Sequence, residues 1–287
     1  MGSCEGMITM GKIRIGTRGS SLARAQARMV ENALRSAVRD LSCETVVVKT
    51  RGDRVLDTPL SRIGSKGLFT RELEEALFRG DIDIAVHSLK DLPTELPPGL
   101  IIGGVLKRGD ARDVLLSRDG KTLDELSPEK RIATSSLRRR AQLLHGNPER
   151  NVVETRGNVE TRIRKMEEGR YEALILAGAG IRRLGMENRI TQYLDPDVMI
   201  PAVCQGIVGI ESREDDGRIA GILSGISDEE TFDTARAERA FLRTLQGGCQ
   251  VPLGCVTSRS LERFLMKGFI SDPGGKRYII GEEEGLP

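Results

Sequence analysis

The steady exchange of strand-like for helix-like segments constrains this chain more than any single motif. "KIRIGT" (Lys12–Thr17) reads as a short buried strand. The following "SLARAQARMVENALRSAVRD" places Leu22, Ala25, Met29, Ala33 and Val38 in an apolar stripe at helical spacing. "ETVVVKT" (Glu44–Thr50) is β-branched and strand-like, "RELEEALFRG" reads as a helix closed by Gly80, and "DIDIAVHS" is the next strand. "DVLLS" (Asp113–Ser117) and "RIATSS" open a second set, continued by "LRRRAQLLHG" as helix, "NVVET" as strand, "NVETRIRKMEEG" as helix and "YEALILA" as strand. "GIVGIES" (Gly206–Ser212) is a further strand and "FDTARAERAFLRTLQ" a long helix. Such alternation implies α/β architecture with largely parallel sheets. After Cys249 the pattern changes: "RFLMKGFISDPGGKRYIIGEE" reads as two strands around an Asp-Pro-Gly-Gly turn, as in a small α+β unit.

Composition narrows the functional classes. A chain of 287 residues suggests two or three domains. No window approaches the ~18 apolar residues of a membrane span, and "MGSCEGMITMGK" has no apolar core like a signal peptide's, so a cytoplasmic protein is expected. Five cysteines without C-x-x-C pairs and only two histidines suit neither a disulfide framework nor a zinc site, and no metal is expected. A net charge of +2 and 3% aromatic residues argue against a nucleic-acid coat or a base-stacking platform.

Three strand-to-helix turns share one grammar: "GTRGSS" (Gly16–Ser21), "ATSSLRR" (Ala133–Arg139) and "ETRGNVETR" (Glu154–Arg162). Helix N-termini attract anions, and arginine forks bind carboxylates through two bonds. Helix capping explains Ser20, Ser136 and Asn158, but not Arg18, Arg138, Arg139, Arg156 and Arg162 gathered at strand ends. In open α/β sheets ligands bind at those ends, so the residues predict a cleft for a ligand with several negative charges. "AVHSLKDLP" adds Lys90 and Asp91 at a fourth strand end. There a carboxylate can accept N–H groups or stabilise a developing cation; a solvated surface pair is the simpler reading of those two residues alone. "LQGGCQVPLGC" (Leu245–Cys255) sets Cys249 behind two glycines and ahead of Pro252. Such a loop gives a thiol access, although a cysteine can equally fill core. "TRGDRVLDTPLSRIGS" (Thr50–Ser65) is long for a loop in a compact domain.

Together these motifs resemble the porphobilinogen deaminase (hydroxymethylbilane synthase) family. "GTRGSSLARAQ", "GDRVLDTPL", "KGLFTRELE", "HSLKDLPT", "TSSLRRRAQL", "RGNVETR", "LAGAGIRRLG", "PAVCQGIVGIE" and "GGCQVPLG" occur in the family's order between Ile13 and about Gly254. The resemblance implies that Cys249 carries a dipyrromethane cofactor through a thioether. This primer accepts four porphobilinogen units, each losing ammonia, and the chain is then hydrolysed off as 1-hydroxymethylbilane. By position, Asp91 would hydrogen-bond pyrrole N–H groups and stabilise the cationic intermediate. Lys90, Arg18, Ser20, Thr134, Ser136, Arg138, Arg139, Arg156, Arg162 and Arg183 would bind the acetate and propionate arms. Gln205 matches a hinge and substrate-site glutamine, while Lys66 and Phe69 fall in a mobile loop near the cleft. The implied fold has two periplasmic-binding-protein-like α/β domains, 8–104 with 206–224 and then 105–205, followed by a small α+β domain, 228–287. A monomer acting on a small molecule, without nucleic acid or membrane, is expected.

Three departures from the family pattern stand out. Cys204 replaces an expected glycine, putting a second thiol near the cleft; Arg140 extends the arginine pair and is expected to be solvated. The chain stops at "GEEEGLP" where the family continues into a further helix, so a shortened third domain is expected. Two other functions compete: a two-domain clamp for a small polyanion without chemistry, and nucleic-acid binding through "SLRRRAQLL". The clamp has no need of Asp91 beside Lys90 or of a glycine-flanked Cys249. The apolar periodicity of the basic helix and the balanced charge oppose nucleic-acid binding.

Overall fold

A computed structural model describes residues 12–50, 70–246, 251–260 and 263–285. Lys66, Phe69 and Cys249 lie outside the described residues. The first lobe starts with β1 (Ile13–Thr17), α1 (Ser21–Ala37) and β2 (Cys43–Val47), and continues with α2 (Arg71–Phe78), β3 (Ile84–Ser88) and β4 (Leu100–Val105). Ser20 caps α1, its hydroxyl accepting from the Ala23 amide at 3.2 Å. The inward face of this helix is Ala23, Ala27, Val30 and Leu34. Of the expected stripe, Ala25 is buried, while Leu22, Met29, Ala33 and Val38 flank the contact half-buried. Alanines let the helix lie close to the sheet, and Leu22 instead faces Gly180 of the second lobe.

The second lobe holds β5 (Asp113–Ser117), β6 (Ile132–Ala133), α3 (Leu137–Gly146), β7 (Val152–Val153), α4 (Val159–Glu167), β8 (Ala173–Ala177), α5 (Gly178–Arg183) and β9 (Gln192–Tyr193). The chain then returns as β10 (Val208–Arg213) and α6 (Gly217–Ser224) to the first lobe. Strand orders are β2-β1-β3-β10-β4 and β7-β6-β8-β5-β9. Only half of the pairings are parallel: β10 runs antiparallel to β3 and β4, and β5 antiparallel to β8 and β9. The expectation of largely parallel sheets is corrected by the crossover itself. The parallel strands β1, β3, β6 and β8 point their carboxyl ends at the cleft. A strand arriving from the other lobe enters from the cleft and must run the opposite way. This exchange is the periplasmic-binding-protein arrangement, and it puts all four predicted turns along one cleft. Apolar clusters fill both faces of each sheet, for example Ile13, Val30, Ile84 and Ile210 in the first lobe and Val114, Ile163, Leu174 and Ile181 in the second.

The last unit combines α7 (Glu229–Thr244) with an antiparallel meander of β11 (Leu253–Ser260), β12 (Arg263–Ser271) and β13 (Tyr278–Gly285). Of these strands, β11 has no counterpart in the pattern read from the sequence, whereas β12 and β13 flank the expected turn. β13 leaves Ile279 and Ile280 exposed. His145 at the end of α3 stacks on Tyr278, ring centroids 4.0 Å apart, which joins the meander to the second lobe.

The two crossing segments pair with each other, Leu106 N donating to Val208 O and Gly109 N to Gly206 O, both at 3.1 Å. Gly206 holds φ +90°, and a Cβ there would lie 2.6 Å from the Gly109 carbonyl oxygen. Cys204 also has positive φ, +59°, a backbone conformation that suits the glycine expected at this position. Its thiol is buried against the Ala235 carbonyl, and burial, with Glu238 nearby, pushes it far above the ordinary thiol range. Such a thiol is inert. Gly206→Ala should destabilise the fold by about 1–3 kcal/mol through backbone strain and collision, read as a lower thermal denaturation midpoint. An unchanged midpoint would mean that the crossing does not require this backbone conformation.

Candidate active site in the interlobe cleft

The strand β3 delivers the chain into a single turn of 3-10 helix, Leu89–Asp91. Leu89 anchors this turn, its side chain buried and its amide donating to Ile207 O at 3.0 Å. With Leu89 inside, Lys90 is half-buried and Asp91 is exposed to the cleft. The Lys90 ammonium donates to Gln205 Oε1 at 3.2 Å. Burial pushes Lys90 down to about 8, opposed by Asp91 and assisted by Arg139.

Opposite this turn, Ser136 caps α3, accepting from the Arg139 amide, and Thr134 Oγ1 accepts from the Ser136 amide at 3.2 Å. Arg138 and Arg139 follow in the first turn, and both are buried. Their forks converge on one carboxylate, that of Asp113 at the start of β5. Arg138 Nη2 donates to Oδ2 at 2.7 Å; Arg139 donates to Oδ1 from Nη2 at 2.8 Å and Nε at 3.1 Å. Their remaining bonds run to Ile200 O and Ile175 O. Gln205 Nε2 donates to the same Asp113 Oδ1 at 2.9 Å and to Ala111 O at 2.7 Å. Burial disfavours the ionised Asp113, but Arg138 and Arg139 outweigh it and hold the carboxyl down at about 2. Arg140 is exposed, as expected for a solvated side chain.

On α4, Arg162 is half-buried and its Nε donates to Gly157 O at 2.7 Å. Burial lowers it to about 10, with Arg139 adding repulsion and Asp91 opposing. It therefore stays a cation and feels charges from both lobes. Arg156 borders a cavity of about 520 Å³ together with Arg131, Lys165 and Tyr171. Arg183 donates to Gly206 O at the crossing, and burial lowers it to about 10. Arg18 is half-buried at the end of β1, beside the cap Ser20.

Thus Lys90, Asp91, Gln205, Arg138, Arg139 and Arg162 come together, with Thr134 and Ser136 at the adjoining helix start. Arg183 lies at the crossing, whereas Lys66, Phe69 and Cys249 fall outside the described residues. Two residues missed in the sequence hold this group in place. Asp113 is one; its signal was a charge opening the otherwise apolar strand "DVLLS". Glu238 on α7 is the other, fully buried. It accepts from Arg108 Nη1 at 2.6 Å, from the Cys204 amide at 2.6 Å and from the Thr257 amide at 2.8 Å. It thus ties both crossing segments to β11, the strand that leaves the Cys249 loop.

Fold and site together define a two-lobed α/β protein whose cleft gathers several cations around the exposed carboxylate of Asp91, with a third unit docked at the crossing. Comparison with known proteins narrows this class. The family profile described as "Porphobilinogen deaminase, dipyromethane cofactor binding domain" matches residues 13–221, and "Porphobilinogen deaminase, C-terminal domain" matches residues 232–286. The porphobilinogen deaminase of Syntrophomonas wolfei is 48% identical over 97% of this chain and 91% of its own length. That of Brevibacillus brevis is 46% identical over 94% and 88%. The chain belongs to the porphobilinogen deaminase family. Among solved structures, a TRAP periplasmic solute binding protein from Desulfovibrio salexigens aligns over 82% of this chain and 78% of its own, at 10% identity and a TM-score of 0.46. Among the described residues, no helix is long and apolar enough to cross a membrane.

Asp113 sets a pH dependence of stability. Its folded-state value is depressed, so its contribution is complete above the ordinary carboxylate range and is lost as pH falls from about 4 through about 2. Asp113→Asn should therefore lower the denaturation midpoint markedly at pH 7, and the gap from the parent should close towards pH 2. A gap independent of pH would show that the ionised carboxylate is not the stabilising form.

Proposed function

We propose that this chain condenses four porphobilinogen units head to tail, releasing ammonia at each addition, on a dipyrromethane held by Cys249, and then hydrolyses the product to 1-hydroxymethylbilane. One observation carries the reading beyond family membership: Asp91 stands exposed in the cleft as a hydrogen-bond acceptor, beside the cation Lys90 and within electrostatic reach of Arg162. A ligand with carboxylate arms and pyrrole N–H groups fits that donor set, because the arms need cations and the N–H groups need an acceptor. The dipyrromethane, when bound, supplies the free pyrrole carbon on which the product is built.

The residues divide the work by charge. Asp91 accepts pyrrole N–H bonds and stabilises the positive charge that develops on porphobilinogen as ammonia departs. Surrounding cations would oppose that charge, so the carboxylate has to stand closest to it. Lys90, Arg18, Arg156 and Arg162 hold acetate and propionate arms, assisted by Ser20, Thr134 and Ser136. Arg138 and Arg139 contribute through the N–H groups that Asp113 and the carbonyls leave over. Arg183 and Gln205 act where the chain crosses between lobes, and Lys66 and Phe69, outside the described residues, are assigned to the substrate by the family's motif alone. The working units are 8–104 with 206–224, 105–205, and 228–287. The enzyme operates as a cytoplasmic monomer on a small molecule. The inward ties of Arg138 and Arg139 support that over nucleic acid, which would need them at the surface.

Two measurements test the reading. Purified active protein should yield a Cys249 peptide heavier by two linked pyrrole units, and Cys249→Ser should lose turnover while keeping the parent's fold. An unmodified Cys249 in active protein would refute the attachment. In single-turnover assays Asp91→Asn should release almost no ammonia. Asp91→Glu, whose carboxylate is displaced by about one bond, should be slowed on the order of 10²-fold. Parent-rate release by Asp91→Asn would remove Asp91 from the chemistry and leave the non-catalytic clamp.

A further inference from the structure

Asp113 touches none of the cleft's exposed groups, yet three of the side chains that come together there are bonded to it. Its carboxylate is fully buried and can only accept. Three side chains donate to it: two guanidinium groups and the Gln205 amide. The amide is the informative one. With Asp113 and the Ala111 carbonyl both acceptors, Gln205 must turn its Nε2 toward them, which leaves its Oε1 facing the first lobe. A lysine ammonium has donors only, so the Lys90 Nζ finds its acceptor at that oxygen, 3.2 Å away. Reversing the amide would set N–H against ammonium at one end and oxygen against carboxylate at the other. One orientation satisfies every partner. The chain Asp113–Gln205–Lys90 therefore runs from the second lobe, through the crossing, to the residue beside Asp91.

We propose that Asp113 is a positioning residue: through the orientation of the Gln205 amide it fixes the Lys90 ammonium beside Asp91, while it holds the forks of Arg138 and Arg139 in place. The proposal rests on the catalytic reading of Asp91 given above. It also explains why a polyanion-binding cleft buries an anion under its own arginines. Two adjacent guanidinium groups repel each other, and a shared carboxylate offsets that repulsion and gives both forks a defined direction. A ligand then meets a preset array and does not have to order it. Burial lowers the Lys90 value, and Arg139 and Arg138 add to this, while Asp91 and, after it, Asp113 support the ammonium.

The test is a double-mutant cycle on the purified holoenzyme with Asp113→Asn, Gln205→Ala and the double variant. Its readouts are single-turnover ammonia release and the pH profile of Lys90 acetylation, followed by mass spectrometry. Each single variant should slow ammonia release, on the order of 10- to 10²-fold for a misplacement of up to ~1 Å, and shift the Lys90 midpoint below the parent's. The double variant should be no slower than Asp113→Asn, because that change already breaks the chain through Gln205. Multiplying effects would overturn the proposal, as would an unchanged Lys90 profile in either single variant. Where Asp113→Asn fails to assemble, Gln205→Ala alone decides through the Lys90 profile, since Asp113 then keeps both arginines. Failure of the underlying reading would look different: Asp91→Asn would release ammonia at the parent rate whatever the cycle gave.

Discussion

Two arginine forks and a hinge amide converge on the buried carboxylate of Asp113, and the cleft cannot keep its shape without that meeting. Unpaired, Arg138 and Arg139 would be two like charges under protein, a situation that burial penalises heavily. Paired, they hold α3 to β5 and to the carbonyls of Ile200 and Ile175, so the helix start and the crossing become one rigid piece. Removing one partner of such a buried set leaves an uncompensated charge. Replacing all of them by apolar residues would leave packing but no cationic cleft. The carboxylate is therefore what offsets two buried like charges.

Glu238 plays the matching part on the other side of the crossing. It takes the guanidinium of Arg108 and the amides of Cys204 and Thr257, drawing the outgoing segment, the returning segment and β11 to one point. The loop bearing Cys249 lies between the end of α7 and the start of β11, so both of its anchors are fastened at the hinge. Gly254 permits this approach, because a Cβ there would collide with the Pro201 carbonyl and crowd the Arg138 side chain. An apolar cluster that joins Val203, Cys204 and Ile207 of the crossing to Ala235, Leu253 and Cys255 of the third unit backs these hydrogen bonds.

Much of this was legible in residue order. The alternation of strands and helices, the caps Ser20, Ser136 and Asn158, and the hairpin around the Asp-Pro-Gly-Gly turn all depend on neighbours a few residues apart. The gathering of Lys90, Arg138, Arg139 and Arg162 followed from one rule, that parallel strands present their carboxyl ends together. The inward direction of the two forks was not legible. A surface arginine and a buried one have the same side chain, and only the position of an acceptor tells them apart. The face of α1 was legible in part: Ala25 is buried and Met29, Ala33 and Val38 pack against the core, but Ala23 and Ala27 are buried as well, and Leu22 is used against the second lobe.

The sequence by itself determined the α/β class, the elements and their turns, the residue types available to the cleft, and the family, because each is written in local spacing or in motif order. Tertiary structure alone decided which of those residues meet. Asp113 and Gln205 are 92 positions apart and Gln205 and Lys90 are 115 apart, so nothing in their local surroundings announces the bond between them. The antiparallel entry of β5 and β10 was likewise decided by where the chain crosses between lobes. Local patterns record the preferences of a few adjacent dihedrals and side chains. A hydrogen bond between distant residues exists only once folding has placed donor and acceptor within 3 Å or so and removed the water that would otherwise satisfy both.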